Sequence, residues 1–141
     1  MLLKNEIGAL ILRVTLGALF LAHGVVKFQG GIENIEGWFS SIGLPGFMAY
    51  GVALLEIIGG IALIIGLGTK IVAALFALLM VGAILKVKLS VGLLGNGQMA
   101  GYELDLGFLA MAVYLVISGS KLLSIDQIFS KKDSNVLRKA A

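Results

Sequence analysis

Four long apolar runs, separated by shorter polar segments, dominate the chain. Each run is close to the ~20 residues that a helix needs to cross a bilayer. Because backbone groups in hydrocarbon must find their hydrogen bonds within the segment, such runs predict helices. The predicted spans are 7–28, 47–67, 71–89 and 104–123. The expected fold class is therefore an all-α membrane protein, a four-transmembrane-helix bundle.

The segment between the first two spans, 29–46, has a weaker amphipathic pattern. Ile32, Ile35 and Phe39 recur at steps of three or four residues, and Trp38 lies among them. This spacing predicts a short interfacial helix between helices one and two, with the indole at headgroup depth. A lid over a ligand pocket is the alternative interpretation of the same segment.

The composition supports a lipid environment and excludes several chemistries. The chain is 59% hydrophobic and only 13% charged, against about a quarter in soluble domains. With no cysteine there is no disulfide, thiolate nucleophile or Fe–S cluster, and one histidine, His23, is too few for bis-histidine haem or a three-histidine zinc site. Glycine-rich loops without a preceding strand predict no nucleotide site. We therefore expect no haem and no metal site.

The net charge of +3 is spread over loops and the C-terminal segment, so it indicates membrane topology rather than a nucleic-acid partner. Apart from Arg13, which lies inside the first span, the chain has ten basic residues. Seven lie on the side of the membrane that holds both termini and the 68–70 turn, and three lie on the opposite side. The three are Lys27, Lys86 and Lys88. This asymmetry predicts cytoplasmic N- and C-termini in a bacterial plasma membrane. Residues 1–126 form the predicted membrane domain, and 127–141 form a polar, basic cytoplasmic tail.

The first predicted span carries a polar stripe. A charged group inside a span costs at least ~2.5 kcal/mol on insertion scales, so each needs a partner or a function. Residues of the stripe recur at steps of four and three and share one helix face, which we expect to contact other helices. They are Arg13, Gly17, Phe20, Gly24 and Lys27, with His23 beside them.

Glu56 in the second span lies about 14 Å below the outer end of its helix, at a depth between those of His23 and Arg13. One interpretation is structural: Glu56 pairs with Arg13 or His23 and fixes how the helices pack. The other is functional: the three residues hold a ligand's head group or transfer protons. Glu56, His23 and Arg13 are the candidate catalytic residues.

Further charged residues lie near the outer ends of the spans. Lys27 and Lys86 can each extend towards the headgroups, which requires no functional role. Glu103 and Asp105 begin the fourth span at the same side of the membrane, where carboxylates suit a helix N-terminus. The alternative is a pocket mouth that admits a polar head on an apolar body, with Lys27, Lys86 and Glu103 as the candidate cofactor-binding residues.

Short motifs along the chain resemble the DoxX family of small four-helix bacterial membrane proteins. They comprise Leu12-Arg13, Gly17, Phe20, His23-Gly24 and Lys27, then Gly43-Leu44-Pro45, Glu56-Ile57-Ile58-Gly59-Gly60, Gly66-Leu67-Gly68-Thr69-Lys70, Glu103 and Ser124-Ile125-Asp126. The resemblance covers 13–126. It implies a membrane oxidoreductase or oxidoreductase subunit, because the family's founding member accompanies a thiosulfate:quinone oxidoreductase.

Two function hypotheses follow. In the first, the chain is a quinone-linked subunit of a membrane redox complex, in which the quinone is the candidate cofactor and a partner protein supplies electrons. In the second, it is a non-redox transporter or scaffold for a small hydrophobic compound. The lipid bilayer is a partner in both. Small-residue pairs in the second and third spans do not distinguish packing within one bundle from an oligomer.

Overall fold

The protein, as a computed structural model, is described for residues 1–131, and within that range its regular secondary structure is entirely helical, without strands. A π-helical turn, Ile84–Lys88, continues the fourth helix. The α-helices are α1 (Leu2–Gln29), α2 (Ile32–Ser41), α3 (Met48–Ile65), α4 (Thr69–Ala83) and α5 (Glu103–Ser118). Among the described residues, three helices are long and apolar enough to cross a membrane: Leu2–Gln29, Met48–Ile65 and Thr69–Lys88. The all-helical membrane character expected from the sequence is thereby confirmed.

The first three predicted spans correspond to helices, although α1 begins at Leu2, five residues before the predicted start. The fourth run predicts a helix to residue 123, but α5 ends at Ser118 because Gly119 takes a left-handed backbone angle (φ +68°). Residues 125–131 are again helical. The predicted tail, 127–141, therefore begins within a helix, and its residues 132–141 lie outside the described part of the chain.

α1 and α3 form an antiparallel pair in direct backbone contact. A Cβ atom on Gly17 would lie 2.7 Å from the carbonyl oxygen of Gly60, and the reverse distance is also 2.7 Å. Seven residues further along α1, a Cβ on Gly24 would lie 2.9 Å from the Ala53 carbonyl oxygen. Small residues at these levels allow the two backbones to touch. The stripe expected to face protein does so, since its residues from Arg13 to Gly24 are buried.

α4 and α5 form the second pair, and aromatic rings join the two pairs at mid-height. Phe20 of α1 stacks on Phe76 of α4 with ring centroids 3.8 Å apart, and Phe108 of α5 lies 5.4 Å from Phe20. All three rings are buried. This core leaves the pairs separated only at the end that holds α2, which we call the cavity end (α2 and 89–102).

The opposite end, the turn end (66–68 and 119–126), is closed by hydrogen bonds to the backbone. Arg13, fully buried, donates to the carbonyl oxygens of Ser120 (3.0 Å) and Leu123 (2.8 Å). Asp126 accepts from the backbone N–H groups of Gly68 (2.8 Å) and Thr69 (3.0 Å), which begin α4. These contacts tie the segment after α5 to α1 and to the α3–α4 turn.

Candidate functional site

A cavity of about 550 Å³ opens between the two helix pairs at the cavity end. Its volume is within the range of ~300–1,000 Å³ typical of small-molecule sites. Its wall consists mainly of apolar side chains from every helix of the bundle, and six of the 22 lining residues are ionisable. They are His23, Lys27, Glu56, Lys86, Lys88 and Asp105. The cavity thus combines an apolar interior with a charged rim.

The first ion pair of the wall joins α1 to α3. Lys27 Nζ lies 2.6 Å from Oε2 and 2.8 Å from Oε1 of Glu56, whose carboxylate is buried. The expectation that Glu56 pairs with Arg13 or His23 is corrected here. Lys27 lies about one turn after Gly24, and Gly24 packs directly against Glu56. Arg13 lies about 21 Å from Lys27 along α1, at the turn end.

The second ion pair joins the π-helical turn to α5. Lys88 Nζ lies 2.5 Å from Oδ2 of Asp105, which is buried. The candidate set contained Glu103 instead, but that side chain is exposed and does not line the cavity. The helical spacing in the sequence could have identified Asp105 instead of Glu103. Asp105 begins the buried face of α5, which continues with Phe108 three residues later and Ala112 four residues after that.

Two further groups of the wall leave hydrogen-bonding capacity unused. The imidazole of His23 meets the ring of Phe108 edge-on, with centroids 6.0 Å apart. Neither that imidazole nor the ammonium group of Lys86 has a hydrogen-bond acceptor or ion-pair partner among residues 1–131. Both can therefore donate to a molecule within the cavity.

α2 covers one side of the cavity. Its buried residues Ile32 and Phe39 pack against Ala49 and Ala53 of α3. Trp38, the chain's one tryptophan, lines the cavity beside Phe39. The amphipathic pattern between the first two spans therefore corresponds to a real helix whose apolar face contacts protein.

The structure brings together four of the six predicted site residues and separates two. His23, Lys27, Glu56 and Lys86 share the cavity wall. Arg13 is bound at the turn end, and Glu103 is exposed and does not line the cavity. Within residues 1–131, no three His, Cys, Asp or Glu side chains are grouped as metal ligands. The chemistry available in the cavity is that of cationic donors, one imidazole and two paired carboxylates.

Comparison with known proteins identifies related chains that cover nearly the whole sequence. "Putative oxidoreductase CatD" of Bacillus subtilis (strain 168) is 45% identical over 133 residues, which span 93% of this chain and 95% of the relative. "Inner membrane protein YqjF" of Escherichia coli (strain K12) is 30% identical over 130 residues, 91% of this chain and 96% of that protein. "Uncharacterized membrane protein Rv3486" of Mycobacterium tuberculosis is 32% identical over 131 residues, 86% of this chain and 80% of that protein.

No solved structure matches the chain. A sequence model of the DoxX family matches residues 8–89, from the first turns of α1 to the end of the π-helical turn. The matched part contains both residues of the Lys27–Glu56 pair and the α3–α4 turn. The resemblance inferred from the motifs is confirmed: the chain is a membrane protein that belongs to the DoxX family.

Proposed function

We propose that the chain is an integral membrane subunit that binds a quinone in the cavity and connects it to a redox partner protein. The observation that carries the proposal is the combination of a cavity of about 550 Å³ and mainly apolar lining with two hydrogen-bond donors that have no acceptor within residues 1–131. The relative from Bacillus subtilis is named an oxidoreductase, which is consistent with this class of function.

The residues of the cavity fit such a ligand. A quinone has a flat apolar ring with oxygen acceptors, usually on an apolar tail. Phe20, Phe39 and Phe108 offer aromatic surface to the ring. His23 and Lys86 offer donors to its oxygens, because neither has an acceptor within residues 1–131. The apolar wall between the helix pairs accommodates the tail.

A bound quinone supplies reversible uptake of two electrons and two protons. The chain itself has no cysteine and a single histidine, so we assign electron delivery to a partner's redox group. His23 orients the ring through a hydrogen bond and carries a proton on its imidazole. Glu56, whose carboxylate pairs with Lys27, is the second group of the wall that can accept a proton.

The proposal includes a membrane arrangement with four spans. α5 is the fourth, because its first turn contacts Lys88 at the cavity end and the residues after it contact Arg13 at the turn end. It therefore runs the length of the bundle, although its 16 residues reach only about 24 Å. α2 lies in the outer interface of a bacterial plasma membrane, and the turn end with both termini faces the cytoplasm.

The binding test uses Trp38 as an internal probe, since quinones quench indole fluorescence on contact. The full chain in mild detergent is titrated with 2-methyl-1,4-naphthoquinone, and saturable quenching is expected. His23→Ala should weaken binding several-fold, because one oxygen loses its donor. Lys121→Ala, at the turn end, is the control and should bind like the unaltered protein. Linear quenching that follows probe concentration without saturation contradicts the proposal.

The redox test measures electron transfer to quinone in membranes that contain the chain and its native partners. Glu56→Gln and His23→Ala should lower quinone reduction while the bundle stays folded by size-exclusion profile. Unchanged transfer in both variants refutes the redox role. Uptake of a hydrophobic phenol into liposomes without an electron acceptor would then favour the transport alternative.

A further inference from the structure

The cavity wall has more positively charged than negatively charged side chains. Glu56 and Asp105 are each satisfied by one lysine, Lys27 and Lys88, within hydrogen-bonding distance. Lys86 is left over, on the same wall and without an acceptor in residues 1–131. Three lysines against two carboxylates give the wall an excess of one positive charge.

We propose that the natural ligand of the cavity is an amphipathic anion, with one negatively charged oxygen head on an apolar body. Lys86 binds the head by a charge-assisted hydrogen bond, and the imidazole of His23 donates a second bond. Because Lys86 is exposed, a neutral ligand leaves its ammonium group hydrated and gains nothing from its charge, whereas an anion gains a charge-assisted contact. A cationic ligand would meet repulsion from the same ammonium group.

This inference uses the cavity of the proposed function but does not depend on electron transfer. It narrows the ligand class to compounds that are anionic at neutral pH, such as hydroxy-substituted quinones or aromatic and aliphatic carboxylates. An anionic lipid head group presents the same chemistry. The cavity's volume of about 550 Å³ matches a small molecule better than a lipid with two acyl chains.

The test compares two ligands with the same ring system and different charge. 2-Hydroxy-1,4-naphthoquinone is an anion at neutral pH, and 2-methoxy-1,4-naphthoquinone is neutral. Both are titrated into the full chain in neutral detergent with Trp38 fluorescence as the readout. We expect the anion to bind about tenfold more tightly, as for one charge-assisted contact in a partly exposed site.

The preference should depend on Lys86 alone. Lys86→Gln should abolish the tenfold preference, because its amide still donates a hydrogen bond to either compound but carries no charge. Lys86→Arg should retain the preference. Lys86 is exposed, so both variants are expected to fold, which an unchanged unfolding curve verifies. Lys121→Gln removes the same charge at the turn end and is the matched control.

The outcomes separate this inference from the proposed function. Equal affinity of both compounds, with quenching that saturates, overturns the anion preference and leaves quinone binding intact. Saturable binding of the anion alone supports the preference and contradicts binding of neutral quinones, whereas no saturable binding of either compound overturns both. In nanodiscs, loss of anion binding on adding phosphatidylglycerol assigns the site to a lipid head, and unchanged binding assigns it to a free small molecule.

Discussion

Replacing Lys27 by methionine would remove the partner of a buried carboxylate and keep most of the side-chain volume. Removing one member of a buried pair costs about 3–5 kcal/mol, because the remaining charge is left without compensation. The side chain of Lys27 is 22% exposed and that of Glu56 only 6%, so water reaches the pair from the lysine side. We therefore expect Lys27→Met to lower the free energy of unfolding by about 2–3 kcal/mol.

Replacing Glu56, the other member of the pair, should lower the free energy of unfolding by less. Glu56→Gln leaves an amide oxygen that still accepts from Lys27, and the ammonium group can turn towards the cavity. A loss of about 1 kcal/mol is expected. The double replacement, Lys27→Met with Glu56→Met, removes both charges and should lie within about 1 kcal/mol of the unaltered protein, because apolar pairs of similar volume replace buried ion pairs without large cost.

The assay is equilibrium unfolding in mixed micelles of dodecyl maltoside and increasing SDS, followed by circular dichroism. Lys86→Met is the matched control, since it makes the same chemical change on the same wall at a lysine without a partner in residues 1–131, and it should change stability by less than about 0.5 kcal/mol. If Lys27→Met unfolds like this control, or if the double variant is destabilised at least as much as Lys27→Met alone, the loss does not come from an uncompensated buried charge and the reasoning is refuted.

Three further variants test the packing and the turn end by the same unfolding measurement. Gly17→Ala should destabilise by about 2 kcal/mol or more because its Cβ would meet the Gly60 carbonyl oxygen at 2.7 Å, whereas Gly8→Ala, with nothing within 4 Å, should be neutral or slightly stabilising. Arg13→Met should cost about 3 kcal/mol, since the buried Ser120 carbonyl oxygen and the partly buried contact to the Leu123 carbonyl both lose a charged donor, and equal stability would contradict that role. Asp126→Ala should cost about 1 kcal/mol by leaving two N–H groups at the start of α4 without an acceptor, and an unchanged midpoint would argue against it.

The helices of the fold could be predicted from the sequence to the extent that length and hydropathy determine them. The runs at 7–28, 47–67 and 71–89 correspond to helices because backbone groups of apolar segments must hydrogen-bond internally. The end of α5 could not be predicted in this way, since residues 119–123 are apolar enough to continue the run. They leave the helix at Gly119, and Arg13 contacts the carbonyl groups that follow.

The sequence could predict the depth of each site residue in the membrane but not which of these residues contact one another. Residue counting along each helix placed Arg13 and His23 within axial reach of Glu56, but it carries no information about the rotation of one helix against the other. That rotation is set by the close approach at Gly24, which directs Lys27 to the carboxylate. The buried face of α5, in contrast, could have been predicted from the spacing of Asp105, Phe108 and Ala112 in the sequence.

The ionisable residues of the bundle fall into two groups with different physical roles. At the turn end, Arg13 and Asp126 bind backbone carbonyl and N–H groups, and such contacts fix chain geometry because their partners cannot move independently. At the cavity end, ionisable side chains bind one another within each helix pair, and no ion pair there joins one helix pair to the other among residues 1–131. His23 and Lys86 have no such partner among residues 1–131, and this difference between the two ends is why we propose the ligand site at the cavity end.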